Sequence, residues 1–447
     1  MRTDPATQPM ILRDLGDGLR LRRSIAADAE PLAAFMADAF RNPATNEPDE
    51  EAARWTRDLL RGTHPTFSVN DFTIVEDTRA RKIVSALSLI PQTWSYAGIP
   101  IKVGRPEIVA THVEYRRRGL VRAQFEEIHR WSRERGDLML AITGIPWYYR
   151  QFGYEPAIEL EGGRTGYLSQ IPQLADGATE PYRVRPALDA DLPLLAETIM
   201  QGHARYLMTA LRDLALWRYE LDGRDERHMI RRELRVIETS AGEPVGALAH
   251  AHELWGQALV VKAYELRPGV SWAAVTPSVV RYLAATGAAY AARRQGAPFS
   301  EYSFGLGSTH PVYDAFAERL PHRYRCYAWY VRTPDIAAFL RQIQPALEQR
   351  LAASVVAGHS GELKLNFFRS GVRLVFQQGR ISAIEPWQPQ RGQSNVWAFP
   401  DLTFLQLLFG YRSLDELDHA FIECYGDSAA LVRALFPKQP SYVWGIG

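Results

Sequence analysis

The stretch Ile108-Val109-Ala110-Thr111-His112-Val113-Glu114-Tyr115-Arg116-Arg117-Arg118-Gly119-Leu120-Val121-Arg122-Ala123 passes from a β-branched strand pattern through a basic turn into an amphipathic helix. The first amides of a helix have no partner within it, and they point at one spot where the helix dipole favours negative charge. A strand, tight turn and helix start therefore make a cradle for a pyrophosphate. Gly119 lets backbone approach a ligand closely, and the arginines add charge-assisted contacts to phosphate oxygens. Taken alone, three arginines and a glycine describe a solvated loop. The flanking elements, and an aromatic-rich segment some thirty residues on, give the turn its meaning.

Upstream, Leu19–Arg22 reads as a strand, and Asp28–Phe40 and Asp49–Arg61 as helices. Phe72–Val75, Ile83–Ile90 and Glu107–Val113 read as strands. Downstream, a helix over Leu120–Arg135 stops at Gly136, and a strand follows at Leu138–Ile142. Next comes Thr143-Gly144-Ile145-Pro146-Trp147-Tyr148-Tyr149-Arg150-Gln151-Phe152-Gly153-Tyr154. The expected class is α+β, a mixed sheet flanked by helices.

Residues 182–191, Tyr-Arg-Val-Arg-Pro-Ala-Leu-Asp-Ala-Asp, echo residues 19–28, Leu-Arg-Leu-Arg-Arg-Ser-Ile-Ala-Ala-Asp. Such an echo predicts a repeated domain. The second copy has strands near Leu234–Glu238, Val245–Ala251 and Ala258–Glu265 and a helix near Val275–Ala285, without an arginine-rich turn. From Thr333 a third pattern begins. It holds a helix over Ile336–Ala352, strands at Glu362–Phe368, Val372–Gln377 and Ile381–Glu385, and helical stretches at Asp401–Phe409 and Ser428–Leu435. The expected domains are 1–175, 176–333 and 334–447.

Composition bounds the partners. The chain has 447 residues, 46% hydrophobic and 23% charged, with a formal net charge of +1. That balance argues against bulk binding to nucleic acid or a membrane surface. Two cysteines without metal-ligand spacing, Cys326 and Cys424, predict neither a disulfide framework nor a metal site. No signal-peptide pattern opens the sequence, and no apolar run approaches the ~20 residues of a membrane span. A cytoplasmic protein is expected, and a homo-oligomer.

The turn resembles the acetyl-CoA motif of the GNAT superfamily of N-acetyltransferases, with Arg116, Gly119 and Val121 in its three fixed places. Tyr149-Arg150-Gln151-Phe152-Gly153-Tyr154 resembles an element these enzymes carry after the core's penultimate strand. Together with the three-part order, the motifs resemble the enhanced intracellular survival (Eis) family. That resemblance implies two tandem acetyltransferase-like domains, the second degenerate, and a C-terminal domain similar to sterol carrier protein. It implies acetyl-CoA as acetyl donor, no metal, and a primary amine acceptor: aminoglycoside-like, polyamine or lysine.

By the same resemblance Tyr149 is the general acid that protonates the leaving thiolate. Arg116, Arg117, Arg118, Gly119, Leu120, Val121 and Arg122 bind the phosphates. Thr111, His112 and Val113 form the strand that pairs with the pantetheine arm. The family's base is the chain's terminal carboxylate, here that of Gly447. A base or a water path is required in any case. Glu107 is an alternative base, and His112 is read first as a structural histidine. Glu107 and His112 differ by an odd number, so a regular strand sends them to opposite faces unless a bulge intervenes. For a cationic substrate, Asp38, Trp55 and Glu107 are the candidate contacts. Two other readings stand beside the enzyme: a lipid- or acyl-binding module with vestigial catalysis, and an acetyl-CoA sensor. Neither needs a general acid at Tyr149.

Overall fold

In a computed structural model, which describes residues 9–294, 296–390 and 392–444, the two echoing segments fold alike. The first begins with strands β1 (Ile11–Gly16) and β2 (Leu19–Arg23), helices α1 (Ala29–Ala39) and α2 (Glu50–Leu60), and strand β3 (Phe72–Asp77). It continues through β4 (Lys82–Tyr96), β5 (Ile99–Thr111), α3 (Leu120–Arg135), β6 (Met139–Ile142) and β7 (Glu155–Leu160). After β8 (Gly163–Tyr167), the second runs β9 (Tyr182–Pro186), α4 (Leu192–His203), β10 (Met208–Leu211), α5 (Leu214–Arg218) and β11 (Arg232–Thr239). It then passes through β12 (Pro244–Ala251), β13 (Ala258–Leu266), α6 (Trp272–Arg293), β14 (Glu301–Phe304), β15 (His322–Tyr324) and β16 (Tyr327–Arg332).

The echo in sequence is an ion-pair motif in space. Arg22 clamps both oxygens of Asp28, at 2.7 and 2.8 Å, and its Nε donates to Glu76 on the next strand. Arg185 does the same with Asp191, at 2.7 and 3.0 Å, and with Glu238. In each copy the Asp also accepts an amide three residues back, from Ile25 and from Leu188. A planar guanidinium satisfied on several sides, buried at Arg22 and half-buried at Arg185, fixes how strand hands over to helix.

Each sheet is antiparallel through four strands and then gains one parallel strand. The orders are β2-β3-β4-β5 with β6, and β9-β11-β12-β13 with β14. Beyond that point the copies exchange strands. β16 inserts between β6 and β7 of the first sheet, and β8 between β14 and β15 of the second. The expected division at 175/176 separates stretches of sequence, while the sheets share strands across it. The two crossovers pass side by side at Gly162 and Cys326. Gly162 has φ +84, and a Cβ there would overlap the Cys326 sulfur and lie 3.0 Å from its backbone nitrogen. Gly162→Ala should therefore cost at least ~2 kcal/mol, measured as a lowered midpoint in urea unfolding.

The hairpin of β4 and β5 is longer than the sequence pattern predicts. Pro91, Pro100 and Pro106 interrupt the apolar alternation, yet pairing runs on to a turn at Ala97 and Gly98, both with positive φ. β10 pairs with the far end of β4, from Thr93 to Tyr96. The third segment forms the sheet β19 (Arg380–Trp387), β18 (Gly371–Gln377), β17 (Gly361–Asn366) and β20 (Val396–Ala398). Its expected single helix over Ile336–Ala352 is two, Ile336–Gln342 and Gln344–Ala352. Pro345 cannot donate an amide and clashes with a preceding turn, so the helix restarts there. One continuous apolar core joins this segment to the first sheet through Trp94, Val103, Trp329, Phe339 and Phe404. Among the described residues no helix is long and apolar enough to cross a membrane.

Candidate active site

The parallel strands β5 and β6 pair only at Val103–Met139 and Gly104–Leu140, and then separate. A bulge in β5 shapes the opening. Ile108 and Val109 face the single residue Leu87 of β4, and Ile108 takes φ +50, an outlier for a β-branched residue. The extra residue bends the strand and changes which side chains share a face. The bulge does not bring Glu107 and His112 together: Glu107 contacts Arg105 and Thr143, and His112 lies beyond the strand's end on another groove.

The gap widens into a cleft of about 680 Å³. Its walls are Val109–Thr111 of β5, Tyr115–Arg117 and Gly119 of the turn, the start of α3, and Ile145, Tyr148, Tyr149, Gln151 and Phe152. Ala39 and Phe40 close it at the end of α1. The turn reaches its shape through two positive φ angles, +64 at Arg117 and +75 at Gly119. Gly119 is the N-cap of α3, and no side chain caps that helix. The first amides of α3 thus have no side-chain cap, and space is open beside Gly119. The equivalent helix of the second copy, α6, is capped by its own Ser271.

A buried polar network holds α3 against the sheet. Ser85 Oγ donates to Gln124 Oε1 (2.7 Å) and accepts from Thr111 Oγ1 (2.8 Å). Gln124 Nε2 donates to Thr73 on β3. Of the turn's arginines, Arg116 reaches the Thr111 carbonyl, Arg118 lies over the Tyr115 ring, and Arg122 lies over Phe152 and donates to Gln151. Arg117 is exposed, lines the cleft and has no hydrogen-bond partner among the described residues.

Tyr149 sits in a short helical turn, Tyr148–Phe152, entered through Trp147 at φ +63 and left through Gly153 at φ +83. The side chain is buried and packs over Gly144, and Tyr149 lines the cleft. That hydroxyl has no hydrogen-bond partner among the described residues. Burial raises its pKa well above a free phenol's, helped by the Glu107 carboxylate and by Tyr148. The side chain therefore holds its proton at neutral pH.

Sequence reasoning missed what supports this turn. The exchanged strand β16 supplies it: Tyr330 Oη accepts from the Trp147 amide (2.9 Å), and Tyr327 Oη donates to the Gly144 carbonyl (3.1 Å). Tyr330 also packs against the Tyr149 ring. These residues lie some 180 positions downstream, and no local pattern could assign them to the first sheet.

Glu107 is almost buried. Its carboxylate takes a short hydrogen bond from Arg105, which is wholly buried beneath Trp329, and a longer one from Thr143. The strand ends at Thr111, two residues earlier than expected. His112 turns the chain instead: its amide pairs with Val84, and its Nδ1 accepts the Glu114 amide. Val113 already belongs to the next turn, so the backbone bordering the cleft is Val109–Thr111. Asp38 pairs with Arg41 and borders a different groove, which it shares with His112. Trp55 is buried against His228. Neither lies in the cleft with Tyr149. Gly447 falls outside the described residues.

Residues 20–157 match the Acetyltransferase (GNAT) domain family. No curated protein sequence matches the chain significantly. Among solved structures, a conserved protein of unknown function from Enterococcus faecalis V583, described as a probable N-acyltransferase, superposes with a TM-score of 0.67. It is 14% identical, and the match covers 96% of this chain and 100% of that one. A GCN5-related N-acetyltransferase from Kribbella flavida gives a TM-score of 0.63 at 17% identity, over 96% and 98% of the two chains. Eis1 from Mycobacterium abscessus gives 0.55 at 12% identity, over 97% and 98%. These likenesses share the whole three-part fold. Residues 20–157 thus carry the match to a GNAT acetyltransferase domain, and the chain is an acyltransferase enzyme.

Proposed function

We propose that the first sheet's cleft transfers an acetyl group from acetyl-CoA to a primary amine within a ternary complex. One observation carries this reading: the uncapped start of α3 and Tyr149, whose hydroxyl has no hydrogen-bond partner among the described residues, line the same cleft. The first suits the pyrophosphate, and the second suits the thioester sulfur. Arg116, Arg117 and the amides from Gly119 to Arg122 hold the phosphates. The arm runs along Val109–Thr111, where β5 has left β6.

The amine nitrogen attacks the thioester carbonyl, and a C–N bond forms as the C–S bond breaks. The departing thiolate takes the Tyr149 proton, and the ammonium proton passes to a base. We assign that base to the Gly447 carboxylate. Glu107 suits it less, because its carboxylate is committed to Arg105 and Thr143. The acceptor class, aminoglycoside-like, polyamine or lysine, follows the Eis likeness, as does the kinship of residues 334–447 with sterol carrier protein. The four-stranded sheet and helices of that segment are compatible with it.

The test is an amine panel scored for free thiol released from acetyl-CoA. Absence of release with every amine class sinks the reading. The base is checked by adding two residues after Gly447. Turnover should drop at least about tenfold, as loss of a general base does. A fully active extended chain returns the role to Glu107 or water.

A further inference from the structure

The second sheet has a gap of the same kind. Strands β13 and β14 are parallel, and their last rung is the Gly305 amide to the Val261 carbonyl (2.9 Å). One residue further, the carbonyls of Lys262 and Gly305 point across the opening. A side chain from the far end of the protein lies between them. Tyr442 Oη stands 2.6 Å from the Lys262 oxygen and 2.9 Å from the Gly305 oxygen, and its one proton is shared between them. Its ring packs on Tyr206, and an added Cβ on Gly307 would lie 3.3 Å from it. About 10 Å³ of space remains beside it, room for at most one water.

The segment around Tyr442 is tied to both sheets. Leu207 donates its amide to Pro440, and Tyr442 donates its amide to Met208. β10, which starts at Met208, is paired to β4 of the first sheet. The Ser441 amide reaches Glu159 on β7. Trp444 packs edge-on against Trp217, and its carbonyl accepts from Arg212 (3.1 Å).

The two copies thus differ at both ends of the gap. In the first, the helix start is uncapped and the space beyond β5 and β6 is a cleft. In the second, Ser271 closes the helix start, and Tyr442 fills the place between the strands. We propose that the second sheet has become a receptor for the chain's own C-terminal segment, and that Tyr442 is the positioning residue that seats it. That seating governs turnover through the terminus, and to this extent it rests on the reading of Gly447 above. The second copy therefore serves the first copy's reaction, with no second acyl-CoA.

The full-length Tyr442→Phe variant tests this, since it keeps the ring and loses only the hydroxyl. It should lower kcat about tenfold and leave acetyl-CoA affinity within about twofold. Amide hydrogen exchange at Leu207 and Tyr442 should speed up by a similar factor. Leu431→Ala, in the core beneath the third segment, supplies at least as large a destabilisation as a control. Wild-type kcat in Tyr442→Phe overturns the proposal, as does unchanged exchange at the two amides. A fall in kcat that Leu431→Ala reproduces assigns Tyr442 a merely structural role and also overturns it. If the wild-type protein turns over no amine, the function proposed for the first sheet fails. The exchange at Leu207 and Tyr442 then still decides whether the tail is seated by its hydroxyl.

Discussion

Tyr149→Phe is expected to lower kcat by about 100-fold or more, the usual worth of a positioned general acid, and to leave acetyl-CoA binding within about twofold. The split follows from what the side chain touches. Its ring is packed by Phe125, Tyr148, Tyr154 and Tyr330, and phenylalanine keeps all of those contacts. Its hydroxyl has no partner among the described residues, so its loss strands no buried donor or acceptor. The stability cost should be small. On the proposed mechanism, what disappears is the one proton that the departing thiolate takes. An interaction realised only as the bond breaks appears in kcat and in kcat/KM, while ground-state binding is untouched.

The pH behaviour sharpens this test. Burial, with Glu107 and Tyr148 adding to it, holds the Tyr149 phenol above its ordinary range. An acid with a raised pKa keeps its proton up to that value and loses it only above. The wild-type rate should therefore show no fall between pH 7 and 9 from ionisation of this group. Thiol release measured across that range, for wild type and Tyr149→Phe, checks both statements. Wild-type turnover in the variant with a good amine removes the acid role.

Legibility in the sequence divided along a physical line. Helix α3 was bounded almost to the residue, because Gly119 and Gly136 take the left-handed conformation at its two ends. The repeat was legible because Arg22 and Arg185 each find an Asp six residues on, an interaction local enough to leave a trace. The arginine turn and Tyr149 lie within one strand–helix–strand unit, close enough in sequence for one cleft to take both. What stayed hidden depends on partners far away in the chain. The alternation in Gly163–Tyr167 and Tyr327–Arg332 says "strand" without saying in which sheet, so the exchange at Gly162 and Cys326 could not be read. The supports of Tyr149 on β16 vanished with it. Asp38 and Trp55 were expected near substrate because acids and aromatics suit a cation. Local pairing with Arg41 and burial against His228 took them elsewhere.

Arg117→Glu should weaken coenzyme A binding by about 100-fold, by the same locality. A charge-assisted hydrogen bond is worth about 1.5–3 kcal/mol, or roughly 10- to 100-fold. Reversal adds repulsion at a helix start that favours anions. Arg116, Arg118 and Arg122 each have a second use inside the protein, on Thr111, Tyr115 or Phe152. Removing any of them would mix binding with stability. Arg117 is exposed at φ +64 and makes no such contact, so its replacement reads the ligand alone. Calorimetry with coenzyme A measures the loss, and an unchanged melting temperature shows that the fold is intact. Acetyl-pantetheine, which lacks every phosphate, supplies the decisive comparison. If Arg117 acts on phosphate, the variant and the wild type should use that donor equally, at a rate low for both. A deficit that persists with acetyl-pantetheine would place Arg117 on the arm or the acceptor. Unchanged affinity for coenzyme A itself would detach the arginine turn from the cofactor.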